Sequence, residues 1–230
     1  MDIKVVAITG AGSGLGASLA KKYSEMGCHV CLLGRNALKL KRIAEQLTGS
    51  YSIYEADVSS KREVEKTMAS IKEEVGPIDL LINNAGLGVF DLAENLTEEN
   101  VHDMIDINLK GTIFCTQEVL PSMKERNQGL IINIVSTAGV EGKVTESVYC
   151  ASKFGVRGFT ESLAKELNDT GVRVFGAYMG GMKSPFWEGI LTEERMKNLM
   201  DPDDVADVII ENAKVRKNLI VTEVIIKNKI

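Results

Sequence analysis

The chain has 230 residues, of which 44% are hydrophobic and 26% are charged, and this suits one globular domain with a full core. The formal net charge of −5 argues against nucleic acid or an anionic membrane as a partner, because both attract basic surfaces. The first residues lack the zones of a signal peptide, and no apolar stretch is long enough to span a membrane, so we expect a cytoplasmic protein.

The cysteines favour the same compartment. Cys28 and Cys31 form a C-x-x-C pattern, but the residues around them predict a buried strand. Positions three apart in a strand face opposite sides, so the two thiols should neither meet nor share a metal ion. We therefore predict no metal site and interpret the cysteines as reduced structural thiols.

The first predicted strand leads into a glycine-rich turn. Residues 4–9 are a short apolar run rich in β-branched residues, and a helical pattern of apolar residues follows from residue 17. The turn between them contains Gly10, Gly12, Ser13, Gly14, Leu15 and Gly16. Such a turn lets the backbone and the N–H groups of a helix N-terminus approach a pyrophosphate. We interpret it as a dinucleotide site, with a tight turn that binds no ligand as the alternative.

The second strand, predicted over residues 29–33, indicates which nucleotide binds. In the dinucleotide fingerprint an acidic residue after this strand accepts the ribose hydroxyls. Here Gly34 occupies that position and Arg35 follows. A guanidinium pairs well with a 2′-phosphate, so we predict NADP rather than NAD. A solvated surface arginine is the alternative.

Predicted strands and helices alternate along the rest of the chain. The predicted strands cover residues 4–9, 29–33, 50–55, 78–83, 130–135, 172–178 and 219–226. The predicted helices cover about 17–26, 37–47, 60–75, a long stretch after Thr97, about 147–169 and about 202–213, with Ser59 or Ser60, Thr97, Ser147 and Asp201 as caps. This alternation predicts an α/β fold, a Rossmann-type doubly wound parallel sheet in three α/β/α layers, with residues 1–230 in a single domain.

Ligands of such a sheet bind at the carboxyl ends of its strands. The glycine-rich turn, Arg35, Asp57 and Asn84 all fall there, and so does Ser136 after the fifth strand. Asn108 interrupts the helical stretch after Thr97, which indicates either a surface position or a kink with a polar role.

Tyr149 and Lys153 are four residues apart and therefore share one helix face. An ammonium group beside a phenol favours the phenolate, so we expect Lys153 to lower the pKa of Tyr149 and make it a proton donor to a carbonyl oxygen. The spacing alone also occurs by chance in amphipathic helices.

Five motifs in order give the chain a resemblance to the short-chain dehydrogenase/reductase family. They are Thr9-Gly10-x-x-x-Gly14-x-Gly16, Asn83-Asn84-Ala85-Gly86, Asn108, Ser136 and Tyr149-x-x-x-Lys153. The resemblance implies that Tyr149 is the acid-base group, that Lys153 tunes it and holds the nicotinamide ribose, that Ser136 binds the substrate oxygen, and that Asn108 anchors a water in the proton relay.

The resemblance also extends the expected cofactor site. Asp57 would contact the adenine, and Asn84 would lie along the cofactor. The other positions implied are Asn36, Val58, Ala85, Gly86, Gly180, Met182 and Ser184. The chain departs from the family where Met179 replaces a proline and where Ser13 replaces a basic residue of many NADP-dependent members.

Residues 184–200 lie where the family places its substrate lid. Seven apolar side chains here and near the catalytic residues predict an apolar substrate pocket, with simple core packing as the alternative. They are Val140, Val144, Met182, Phe186, Trp187, Met196 and Met200.

Three functions are compatible with these features. The leading hypothesis is an NADPH-dependent reductase of a hydrophobic ketone or aldehyde, which assembles as a homodimer or homotetramer. A 3-oxoacyl-thioester reductase is the first alternative, and it would need Lys183, Arg195 and Lys197 to receive an acidic carrier protein. A non-catalytic sensor of NADP(H) is the second.

Overall fold

The computed structural model describes residues 3–214, 216 and 218–229. Its centre is a seven-stranded sheet in the order β3-β2-β1-β4-β5-β6-β7, in which every neighbouring pair is parallel. The strands are β1 (Val5–Thr9), β2 (His29–Gly34), β3 (Tyr51–Glu55), β4 (Leu80–Asn83), β5 (Gly129–Ser136), β6 (Val172–Met179) and β7 (Glu223–Ile226).

Helices cover both faces of the sheet. They are α1 (Gly14–Glu25), α2 (Ala37–Ala44), α3 (Lys61–Glu74), α4 (Glu98–Met104), α5 (Gly111–Glu125), α6 (Ser147–Glu166), α7 (Glu193–Lys197) and α8 (Pro202–Ala213), with short 3₁₀ turns at Ala93–Asn95, Thr137–Gly139 and Pro185–Trp187. One apolar layer joins α1, α2 and α8 to the sheet, and the opposite layer joins α3, α5 and α6 to it. The predicted three-layer Rossmann-type fold is confirmed.

The central strands β1, β2 and β4 are largely apolar and buried, because helices cover both faces of the sheet. In β1, Val6 and Ile8 belong to one layer, whereas Val5 and Ala7 belong to the other. Cys28 and Cys31 likewise lie in opposite layers, as their spacing predicts.

The strand order reverses between β1 and β4. The chain first winds outward from β1 through β2 to β3, and then returns to β4 and winds outward in the other direction. The loops that follow β1 and β4 therefore diverge, and a crevice opens at the carboxyl ends of these two strands. This crevice positions the site described below.

Most predicted caps are confirmed. The Ser60 side chain accepts a hydrogen bond from the Glu63 N–H, and Thr97 forms a capping box with Asn100. The predicted cap at Ser147 is wrong. Glu146 is the N-cap of α6, because its carbonyl already accepts the first helical hydrogen bond, from the Cys150 N–H at 2.7 Å.

The final strand is shorter than predicted. Glu223–Ile226 pair with β6, and the Thr222 carbonyl also accepts a hydrogen bond from the Gly176 N–H of β6 at 3.0 Å, but residues 219–222 are not part of a strand. Among the described residues, no helix combines the length and the apolarity that crossing a bilayer requires.

Candidate active site

Ser136, Tyr149 and Lys153 line one cavity at the carboxyl end of β5. Ser136 is the last residue of this strand, and α6 presents Tyr149 and Lys153 from one face. The Ser136 hydroxyl is close enough to the Tyr149 hydroxyl to favour its ionised form as a hydrogen-bond donor. The Lys153 Nζ donates to the Ile134 carbonyl at 3.1 Å and lies 5.9 Å from the centre of the Tyr149 ring. Ser136 and the Tyr149–Lys153 pair, which were predicted to act together, therefore line the same cavity.

The ionisation of this pair differs from the sequence-based expectation. Burial raises the pKa of Tyr149 above its ordinary value, and the hydrogen bond from Ser136 only partly opposes this. Burial also lowers the pKa of Lys153 to about 8. The expectation that Lys153 lowers the Tyr149 pKa is thus not met, because desolvation of the buried phenol dominates. A phenol with a raised pKa stays protonated at neutral pH, which is the form that donates a proton.

Asn108 lies in a π-helical segment, Ile105–Lys110, that joins α4 to α5. Its side chain is fully buried. The amide exchanges two hydrogen bonds of 2.9 Å with the backbone of Leu87 and donates a third to the Ser152 hydroxyl. Ser152 in turn donates to the Tyr149 carbonyl at 2.7 Å. The kink with a polar role is confirmed, and Asn108 positions α6 through these contacts.

Gly86 keeps space open beside Asn108 and Lys153. A Cβ atom added there would lie 3.1 Å from the Asn108 Oδ1 and 3.5 Å from the Lys153 Nζ. The first distance is shorter than ordinary van der Waals contact, so a larger residue would displace the amide. A glycine at this position therefore preserves the geometry of the Asn108 amide.

Asn84 connects the loops that follow β1 and β4. Its Nδ2 donates to the carbonyls of Thr9 and Gly10 at 2.9 and 3.2 Å. The backbone N–H groups of Asn84 and Ala85 donate to the Thr9 hydroxyl at 2.9 and 3.0 Å. The crevice at the switch point of the sheet is therefore held by side chains of both loops.

The turn before α1 has the properties of a phosphate cradle. Gly10 and Gly14 have φ values of +66° and +52°, which glycine adopts readily. The side chain of Ser13, the N-cap of α1, makes no capping hydrogen bond, and no acidic residue occupies the first turn. The N–H groups of that turn face the cavity with the positive end of the helix dipole. These residues fit the pyrophosphate of a dinucleotide.

The segment after β6 lies directly above this turn. A Cβ atom on Gly14 would lie 2.9 Å from the Ser184 Cβ. Met182 and Met200 form a backbone bridge, and the Lys183 N–H donates to the Met200 carbonyl at 2.8 Å. The predicted lid, residues 184–200, is thus an excursion whose two ends are joined at the mouth of the cavity.

Arg35, Asn36 and Asp57 lie at the ends of β2 and β3, outside the cavity lining. The Arg35 Nη1 is 3.9 Å from the Asp57 Oδ2, and the arginine side chain is 64% exposed. The Asn36 Oδ1 accepts a hydrogen bond from the Lys39 N–H and caps α2. The Arg35 guanidinium is therefore exposed beside the crevice and accessible to a ligand.

An aromatic cluster forms the opposite wall of the cavity. Phe90 packs edge-on against Tyr149 with ring centres 5.4 Å apart and stacks on Trp187 at 5.5 Å. Phe186 lies 6.0 Å from both Tyr149 and Phe90. The predicted aromatic lining by Phe186 and Trp187 is therefore present, and Phe90 extends it.

Four predicted pocket residues, Val140, Val144, Met196 and Met200, are outside the cavity lining. Val144 is 85% exposed, and Val140 packs against Val135, Val156 and Tyr178. The loop after β5 turns these side chains away from Tyr149. Met200 packs against the main apolar layer of the sheet, which corresponds to the core-packing alternative.

The cavity unites most of the predicted site. The predicted residues that line it are Gly10, Ser13, Gly14, Leu15, Asn84, Ala85, Gly86, Ser136, Tyr149, Lys153, Gly180, Met182, Ser184, Phe186 and Trp187. The predicted residues outside its lining are Gly12, Gly16, Arg35, Asn36, Asp57, Val58, Asn108, Val140, Val144, Met196 and Met200. Among the latter, Gly16 supports the turn, because an added Cβ would lie 2.4 Å from the Gly10 carbonyl oxygen.

Sequence reasoning missed three side chains of the site. They are Phe90, Lys143 and Glu146; the two charged residues line the cavity. Lys143 and Glu146 could have been found from their position, because they fall between Ser136 and Tyr149 along the chain. In the part of the chain that is described, no group of three or more His, Cys, Asp or Glu side chains is placed to hold a metal ion.

Comparison with known proteins agrees with this geometry. The family model described as short chain dehydrogenase matches residues 4–195. An uncharacterized oxidoreductase of Staphylococcus epidermidis is 36% identical over 227 residues, which cover 97% of this chain and 96% of that protein.

Two solved structures are similar over nearly their whole length. An alcohol dehydrogenase from the archaeon Thermococcus sibiricus, complexed with 5-hydroxy-NADP, has a TM-score of 0.89 at 28% identity and covers 97% of this chain and 96% of its own. A closed serine dehydrogenase complexed with NADP+ has a TM-score of 0.89 at 31% identity, over 96% of this chain and 93% of its own. The chain belongs to the short-chain dehydrogenase family and is an oxidoreductase.

Proposed function

We propose that the protein is an NADPH-dependent carbonyl reductase, which converts a hydrophobic ketone or aldehyde into an alcohol. One observation carries the proposal: the glycine-rich cradle and the Ser136, Tyr149 and Lys153 side chains line the same cavity. A nucleotide site and a proton donor that share one space support hydride and proton transfer to a single substrate.

The roles of the side chains follow from the charge that develops during reduction. Bound NADPH supplies a hydride to the carbonyl carbon. Negative charge then grows on the carbonyl oxygen, where the hydroxyls of Ser136 and Tyr149 stabilise it as hydrogen-bond donors. Tyr149 delivers its proton to this oxygen, and the adjacent Lys153 ammonium stabilises the phenolate that remains.

Arg35 supports NADP(H) over NAD(H). Its guanidinium is exposed beside the crevice, and its contact with Asp57 spans 3.9 Å, so it is available to a 2′-phosphate. No carboxylate stands directly after β2 to bind ribose hydroxyls, since Gly34 and Arg35 occupy that place. The two similar structures described above are both bound to an NADP form.

The substrate end of the cavity supports an apolar compound. Phe186 and Trp187 stand over Tyr149 together with Phe90, and such a wall takes up apolar surface next to the reacting carbonyl.

Carrier-protein recognition is less well supported. Lys183, Arg195 and Lys197 are exposed, but the same stretch carries Glu188, Glu193 and Glu194. The lid therefore presents no net positive charge to an acidic partner.

We also propose an oligomeric state and a cellular compartment for the protein. Family resemblance supports a homodimer or a homotetramer. The burial of all four cysteines in apolar layers supports the cytoplasm, where thiols stay reduced.

The decisive experiment measures NADPH oxidation by the purified protein with a panel of ketones and aldehydes. We expect turnover of at least one apolar carbonyl compound, and its loss in Tyr149→Phe. Tight NADPH binding without turnover of any member would support the sensor alternative and contradict the proposal. Turnover restricted to acyl carrier thioesters would favour the thioester reductase.

A further inference from the structure

Two charged side chains line the cavity without a role in the chemistry proposed above. Lys143 and Glu146 come from the loop between β5 and α6. Apart from Lys153, they are the charged residues of the described lining. Both side chains are only partly buried, so a ligand in the cavity can reach their charged groups.

Lys143 is held close to the residue that binds the substrate oxygen. Its Nζ donates to the Thr137 hydroxyl at 2.7 Å, and Thr137 is buried directly after Ser136. An ammonium group has three N–H donors, and this contact uses one. The remaining donors are available to an anionic group placed beside a carbonyl at Ser136.

The backbone between the two charges is held in an uncommon conformation. The Glu146 N–H donates to the Lys143 carbonyl at 3.2 Å and closes a turn. Thr145, inside the turn, has a φ of +64°, although a β-branched residue strongly disfavours this region. Strain of this kind persists only where surrounding contacts enforce it, and it occurs preferentially at functional sites. The turn brings Lys143 and Glu146 to the same cavity.

The two charges act on each other, and Glu146 also acts on Tyr149. Burial raises the pKa of Glu146, and the Lys143 ammonium partly opposes this. Glu146 also contributes to the raised pKa of Tyr149. Lys143 therefore lies within electrostatic reach of Glu146, and Glu146 within reach of Tyr149.

We propose that the substrate is an oxo acid with an apolar remainder, whose carboxylate binds Lys143 while its carbonyl oxygen binds Ser136 and Tyr149. This substrate class rests on the proposed carbonyl reduction. The carbonyl carbon gains the hydride from NADPH and the carbonyl oxygen gains the proton from Tyr149, which yields a hydroxy acid and NADP+. The carboxylate is unchanged, and the apolar remainder packs against Phe90, Phe186 and Trp187.

The test compares acids with their uncharged esters. We would measure kcat/KM with NADPH for a series of 2-oxo and 3-oxo acids that carry alkyl or aryl groups, and for the methyl ester of each. The wild-type enzyme should prefer at least one acid over its ester by about tenfold or more, since a charge-assisted hydrogen bond is lost in the ester. The ester serves as an internal control for folding and chemistry.

Variants then test whether Lys143 and Glu146 determine the preference for the acid over the ester. Lys143→Met should reduce the ratio of acid to ester kcat/KM about tenfold, whereas Lys143→Arg should retain most of it. Glu146→Gln removes the opposing negative charge and should increase the ratio. Lys66→Met, which removes an exposed lysine on α3, is the matched control and should leave the ratio unchanged.

Each contrary result is distinguishable. Equal or preferred turnover of esters by the wild type, or an unchanged ratio in Lys143→Met, would overturn the oxo acid assignment and leave carbonyl reduction standing. A raised KM for NADPH in Lys143→Met with an unchanged ratio would place Lys143 at the cofactor and also overturn it. A fall of the ratio in Glu146→Gln would contradict a substrate whose only charge is the carboxylate, and would therefore also overturn the oxo acid assignment. No turnover of any carbonyl compound would overturn the proposed function as well.

Discussion

Tyr149 combines burial with a position at the centre of the cavity. Its ring contacts Phe90 and Phe186, its hydroxyl lies near that of Ser136, and its helix also carries Lys153. The spacing of Tyr149 and Lys153 predicted that the two would act together, but it did not predict the desolvation that each experiences. The structure therefore changes the expected pKa values of Tyr149 and Lys153, and the proposed role of Tyr149 as proton donor is kept.

Tyr149→Phe removes the proton donor and keeps the aromatic packing. We expect kcat for carbonyl reduction to fall about 10²–10⁴-fold, the range for loss of a general acid. The dissociation constant for NADPH, measured by fluorescence titration, should change little because the ring still fills its place beside Phe90. A large loss of NADPH affinity with retained turnover would show that Tyr149 is a binding residue only.

Lys153→Met tests the burial of the ammonium through stability. The folded-state pKa of Lys153 is lowered to about 8 from 10.5, so burial of the charged form costs stability in full below pH 8. This cost fades between pH 8 and pH 10.5, because the folded protein releases the proton while the unfolded chain still holds it. The free energy of unfolding of Lys153→Met, relative to wild type, should therefore decrease across that window.

Denaturant titrations of both proteins at several pH values from 7 to 10.5 measure this difference. A difference that stays constant across the window would mean that Lys153 keeps an ordinary pKa in the folded protein. Reduction activity of the wild type should also decline as pH rises through about 8, since the ammonium that stabilises the phenolate is then lost.

At the scale of elements, the π-helical segment between α4 and α5 links the loop after β4 to α6. Asn108 is its buried connector, through Leu87 on one side and Ser152 on the other. An asparagine within a strong helical pattern indicated an interruption, whereas the identity of its partners depends on which loops the fold brings alongside. The wider turn of the π-helical segment gives the Asn108 amide the space to reach both Leu87 and Ser152.

Asn108→Ala should lower both stability and turnover. It leaves the N–H and carbonyl of Leu87 without their partner, and we expect a loss of about 2 kcal/mol, or roughly 4–8 °C in Tm for a protein of this size. kcat should fall more than KM for NADPH rises, because α6 loses a contact that positions Tyr149. Asn212→Ala is the control, because its side chain donates to the Val208 carbonyl on an exposed turn of α8; a comparable loss there would remove any special role from Asn108.

For the whole molecule, the two halves of the sheet meet at the crevice between β1 and β4. The proposed nucleotide site lies across this junction, where Gly14 on α1, Asn84 after β4 and Ser184 after β6 line one cavity. Ligand bound there contacts elements from both halves. Cofactor binding should consequently stabilise the fold as a unit rather than one loop.

NADPH should therefore raise the Tm of the whole protein. At a concentration of 100 times Kd the stabilisation is about 2.7 kcal/mol, which corresponds to roughly 5–10 °C. NADH at the same concentration should produce a smaller rise. In Arg35→Ala the advantage of NADPH over NADH should shrink, and an equal loss for both cofactors would rule out the 2′-phosphate assignment. Differential scanning fluorimetry measures all four combinations.

The sequence by itself predicted the fold class and the order of the motifs along the chain, and it proposed the catalytic set. It could do so because apolar period, glycine position and one-turn spacing are local properties that the chain encodes directly. The tertiary structure alone decided which loop side chains enter the cavity. Lys143 and Glu146 line it and Phe90 packs on the aromatic residues of its wall, while Val140 and Val144 are outside it. The path of each loop depends on long-range packing and on a left-handed Thr145, which no hydrophobic pattern predicts.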